Sequence, residues 1–86
     1  MESALAWQRM FQMWPQGMPR KGLVVTSYQE NIVFVNFLIA DGLLALERDR
    51  PDTTGARKVI VAFSAILAVK QQNTDPFENM KQLNFA

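Results

Sequence analysis

Two carboxylate pairs and one group of cations are the side chains here whose types and spacing could do chemistry. Asp41 with Glu47, or Asp49 with Asp52, could hold a hard cation through oxygen. In Asp49-Arg50-Pro51-Asp52 a solvated loop is the plainer reading, so neither a metal nor a cofactor is expected. Ser3, Ser27 and Ser64 carry hydroxyls with no base evident beside them in sequence. The chain has no His and no Cys, which removes the commonest general base, the thiol nucleophile and the imidazole ligand. An enzyme is not expected. Arg48, Arg50, Arg57 and Lys58 flank one loop and could meet phosphates, but Glu47, Asp49 and Asp52 are interleaved with them and offset their field. The formal net charge of +1 is not the clear basic excess that marks binding driven by bulk charge.

These residues need a scaffold, and 86 residues allow one domain. A chain of this size buries only about 60–65% of its unfolded surface. Without Cys it cannot be stapled by a disulfide, which leaves oligomerisation as the common source of extra stability. Apolar residues make up 49% of the chain and charged ones 20%, so some apolar surface is expected to face another subunit. No basic segment followed by a long apolar one comes after Met1, and the uncharged run Ile32 to Ala40 is too short to span a bilayer as a helix. A cytoplasmic protein with no membrane partner is expected.

Ala4, Trp7, Phe11 and Trp14 recur at spacings of three and four, with Met10 and Met13 widening the stripe. The pattern predicts an amphipathic helix over residues 3–14, capped by Ser3, stopped by Pro15 and covering one open end of a core. Residues 23–26 read as a first strand and 32–39 as a second, apolar on both faces and therefore expected to be covered on both. Asp41-Gly42 is a hairpin turn into a third strand over residues 43–48. Residues 58–63 form a fourth strand rich in Val and Ile, Ser64-Ala65 breaks it, and residues 66–69 form a short fifth. Asp75, Pro76 and Glu78 resemble a helix start, so residues 75–86 are expected to be a short C-terminal helix or a flexible tail outside a domain of residues 1–74.

From about Trp7 to Lys70 this order resembles the Sm-like family. FLIAD ends at Asp41 where the first Sm signature has its Asp, though the Asn shortly beyond it is missing from GLLALE. The glycine of the bent second strand is also missing, with Val35 or Asn36 near its place. Ala62 and Phe63 stand near the Arg-Gly of the second signature. The bacterial RNA-chaperone branch carries Lys-His followed by Ala-Ile-x-x-Val; Phe63-Ser64 replaces Lys-His, while Ala65, Ile66 and Val69 match.

The resemblance implies a mostly-β fold: an Sm-like (SH3-like) five-stranded bent barrel with an N-terminal α-helix. It implies a homo-oligomeric ring in which strand four of one subunit pairs with strand five of the next, through VIVAF and ILAV. It implies single-stranded RNA near the pore, with Phe63 stacking on a base, Asp41 or Ser64 bonding a base edge, and Arg48, Arg50, Arg57 or Lys58 on phosphates. The alternative is a structural or protein-interaction ring without nucleic-acid recognition, toward which the missing Asn and the missing Arg-Gly or Lys-His point.

Overall fold

In the computed structural model, which describes residues 2–86, helix α1 runs Ser3–Gln12. It ends two residues short of the expected limit. The Met13 amide closes the last turn onto the carbonyls of Arg9 and Met10 at 3.0 and 3.2 Å, and Pro15 keeps Trp14 out of helical geometry. Ser3 does not cap it. Ser3 already lies in the helix, the cap position is Glu2, and no side chain bonds there.

Among the described residues six strands follow: β1 (Gly22–Thr26), β2 (Asn31–Phe34), β3 (Asn36–Ala40), β4 (Leu43–Glu47), β5 (Lys58–Ala62) and β6 (Ile66–Lys70). They form two antiparallel sheets of order β2-β1-β6 and β3-β4-β5. The expected second strand is thus two segments, hinged at Val35, whose amide donates to the Glu47 carbonyl at 2.8 Å. The hinge also shifts the pleat. Ile32 and Phe34 point inward, Val35 and Asn36 are both exposed, and Phe37 points inward again. One extra residue at a bend turns the following side chains to the opposite face. The expectation that both faces of this stretch are covered fails within the single chain, because Leu38 is 72% exposed.

Asp41-Gly42 turns β3 into β4 with Gly42 at φ 79°, a left-handed conformation natural to glycine. Phe63–Ala65 is a single turn of 3-10 helix, so Phe63 closes the break after β5 and is not the last residue of the strand. Among the described residues β5 and β6 do not pair with each other; each has one ladder neighbour and one open edge. The structure is therefore a mostly-β domain of two antiparallel sheets without barrel closure.

The core lies between the inner faces of the sheets and α1. Phe11, Phe34, Phe37 and Phe63 fill it, each at most 1% exposed. Trp14 stacks on Phe11 with centroids 5.4 Å apart, and Phe37 meets Phe11 edge-on at 4.9 Å. Arg20 covers the rim, its guanidinium 3.7 Å above the Phe37 ring and its Nη2 donating to the Phe37 carbonyl at 2.6 Å. The C-terminal segment is a 3-10 helix over Phe77–Leu83. Its cap is Pro76, one residue later than the sequence suggests. Leu83 is buried in a cleft it shares with Trp7 and Met10, while Phe77 is 84% exposed.

Gly22 is buried where β1 crosses close to β6, and a Cβ there would overlap the Lys70 carbonyl oxygen. Gly22→Ala is expected to cost about 1–3 kcal/mol by forcing the two strands apart. Chemical denaturation reads the loss. An unchanged midpoint would mean that β1 and β6 do not approach this closely.

Candidate nucleic-acid interface

The seven residues singled out in sequence fall into two groups at opposite ends of the β3-β4-β5 sheet. The partners Leu43 and Ala62 mark one end, Glu47 and Lys58 the other. Four steps along β4 separate them, about 14 Å at the usual strand rise.

At the first end α1, the β3-β4 turn and the 3-10 turn meet. The Trp7 indole N–H donates to the Ile66 carbonyl at 3.0 Å and pins the helix beside β6. The Phe63 amide donates to the Gly42 carbonyl at 3.0 Å and joins the two turns. Gln8 reaches from the helix to the hairpin: its Oε1 accepts from the Gly42 amide at 2.8 Å, and its Nε2 donates to Asp41 Oδ1 at 3.4 Å. Asp41 and Ser64 are exposed here. This end therefore offers an amide, a carboxylate and a hydroxyl, groups suited to bonding base edges.

Phe63 does not belong to that surface. Its ring is 0% exposed and packs 5.9 Å from Phe11, so it cannot stack on a base in this conformation. The reason is the 3-10 turn, which directs the ring into the core while leaving Ser64 outside.

The second end is the loop between β4 and β5. The Arg48 amide donates to the Arg57 carbonyl at 2.8 Å, and Arg48 Nε donates to the Arg50 carbonyl at 3.1 Å. Arg50, Arg57 and Lys58 are exposed, while Arg48 is half-buried. Asp52 organises the loop by accepting from Thr54 Oγ1 at 2.7 Å, from the Thr54 amide at 2.8 Å and from the Ala56 amide at 2.9 Å. The Thr54 hydroxyl, then the two amides and, more weakly, Arg48 hold its carboxyl below the ordinary Asp value. These bonds favour the folded loop at neutral pH, and that preference is lost as pH falls through the depressed pKa. Asp52 thus shapes the loop and also reduces its positive field.

Gln8 is the member of this surface that sequence reading missed. It stands as an ordinary polar residue off the apolar stripe, and nothing local ties it to a turn 33 residues away. Among the described residues no group of three or more carboxylates could hold a metal ion, and no helix is long and apolar enough to cross a membrane. Compared with protein-family models, curated proteins and solved structures, the chain finds no match.

Proposed function

We propose that the chain is an Sm-like module that assembles into a homo-oligomeric ring and binds single-stranded RNA on the end carrying Gln8, Asp41 and Ser64. The observation that carries this reading is the bent stretch Asn31–Ala40, which serves one sheet through β2 and the other through β3. The strands then run β6-β1-β2/β3-β4-β5, which leaves at the two ends β5 and β6, the strands that the Sm resemblance pairs between subunits. The outer strands of this run, β5 and β6, each keep an open edge, are each five residues long and stand on either side of a three-residue turn. Pairing β5 of one copy with β6 of the next satisfies both edges by a head-to-tail contact, and such contacts close into a ring when the rotation allows.

A second reading, an interaction ring without RNA, is favoured by the burial of Phe63 and by the carboxylate of Asp41, which repels phosphate. Light scattering and fluorescence anisotropy separate the two. A defined particle of about five to seven subunits is expected from the ring. Oligo-A or oligo-U is expected to bind at low salt and weaken as salt rises, because each neutralised phosphate releases counterions. Gln8→Ala or Ser64→Ala should each cost about 1 kcal/mol of binding for a lost hydrogen bond, while Arg57→Glu, at the far end of the sheet, should leave the salt dependence nearly unchanged. A ring that binds neither oligonucleotide at low salt would leave the interaction module. A stable monomer would remove both.

A further inference from the structure

The outer face of the β3-β4-β5 sheet carries two apolar rows that cross all three strands. By register, Leu38, Ala45 and Ile60 form one row, and Ala40, Leu43 and Ala62 the next. Leu38 and Ile60 are 72% and 70% exposed, and Leu43 is 46% exposed. Large and small side chains alternate along both rows and between them. Ala45 floors a hollow of about 260 Å³ walled by Leu38 and Ile60 and bounded on its far side by Asn36, Glu47 and Lys58. Leu43, one pleat along the same strand, is a knob between two alanines.

We infer that this face is a docking surface for a second copy of the chain, packed face to face about a two-fold axis that crosses the strands between the two rows. That axis lays each copy's Leu43 over the other's Ala45, inside the hollow between Leu38 and Ile60. The same operation sets Leu38 over Ala40 and Ile60 over Ala62, so every large side chain meets a small one. A two-fold contact requires such self-complementarity: if one residue meets another, the reverse contact is made as well. An axis running along the strands instead would stack Leu38 on Ile60 and Ala45 on Ala45, leaving the hollow empty. The polar row Asn36-Glu47-Lys58 lies one pleat beyond the apolar rows and forms the outer wall of the hollow.

Three large side chains and three alanines offer far less than the ~800 Å² per partner of a standard stable interface. The contact therefore rests on the ring reading: repeated around a ring, it gains by avidity and joins two rings back to back.

The test is the mass of the particle by native mass spectrometry and sedimentation, for the wild type, for Leu43→Glu and for Ala45→Leu. Both sites face outward, so far-UV circular dichroism should be unchanged. The wild type is expected to hold twice the copies of a single ring, and each variant should halve that mass. The absence of cysteine allows a second measurement. Chains carrying Leu43→Cys and chains carrying Ala45→Cys, refolded together and treated with a short bismaleimide cross-linker that spans the ~10 Å between packed sheets, should give a covalent dimer in greater yield than either alone. A ring whose mass neither variant changes, with no excess of that dimer, overturns the inference and leaves the ring reading standing. A plain dimer that the variants convert to monomer supports the face contact and refutes the ring. A wild-type monomer refutes both.

Discussion

Phe11→Ala is expected to lower the unfolding free energy by about 3–5 kcal/mol, the range for removing a large buried ring. Phe11 is 1% exposed and meets Trp14, Phe34, Phe37 and Phe63. It is the part of α1 that enters the core, so its loss leaves a cavity and also frees the helix from the sheets. A domain of this length has roughly 4–13 kcal/mol of total stability. The substitution thus removes a large fraction of it, and the midpoint of thermal unfolding should fall by tens of degrees, at about 4–8 °C per kcal/mol. Tryptophan emission gives an independent reading. Trp14 is 7% exposed, stacks on Phe11 and donates its indole N–H to the Met18 carbonyl at 3.3 Å. The folded wild type should emit to the blue of free indole in water, and Phe11→Ala should shift emission to the red before global unfolding. If the variant keeps both its stability and its blue emission, α1 is not docked through Phe11.

Val61→Asp should be at least as severe, costing about 4 kcal/mol or more by burying an unpaired carboxyl. Val61 lies in β5 opposite Leu44, both side chains turned inward and at most 2% exposed. A charge there unfolds the chain; it does not merely split an assembly. Val61→Asn, of similar shape but neutral, should be milder at neutral pH. Circular dichroism and urea denaturation distinguish the outcomes. A folded, monomeric Val61→Asp protein would place Val61 at a contact between copies and not in the core.

The contrast between Val61 and Ile60 shows where the sequence stops being informative. In Lys58-Val59-Ile60-Val61-Ala62 both alternating sets are apolar apart from Lys58 at the strand's start, so the run reads as a strand but not as a strand with a known inner face. Pairing with β4 decides it: Val59 and Val61 lie opposite the buried Leu46 and Leu44, which leaves Ile60 outside beside Ala45. The bent stretch is similar. Its apolar run was legible, but the slip at Val35-Asn36 was not, because a bulge costs one residue and carries no composition of its own here. The candidate site was legible only in fragments. Asp41-Gly42 announced a turn through its own backbone chemistry, and Ser64-Ala65 announced a break. Whether Phe63 faced solvent depended on the 3-10 turn beneath it and on the Phe11 ring supplied by a helix more than fifty residues earlier.

By itself, then, the sequence determined the features that depend on neighbours along the chain. These were the amphipathic α1 with its stop near Pro15, the hairpin at Asp41-Gly42, the strand character of β1 to β6, and the absence of any imidazole or thiol. Local propensity and periodicity act over a few residues, and a few residues suffice to read them. Only the tertiary structure decided which face each strand buries, that Gln8 is tied to the β3-β4 turn, that Arg48, Arg50, Arg57 and Lys58 stand at the opposite end of β4, about 14 Å of strand away from the end that carries Asp41 and Ser64, and that β5 and β6 are left with open edges. Those features are set by cross-strand register and by packing between segments far apart in sequence, and the free energy that selects among the alternatives exists only once the segments meet.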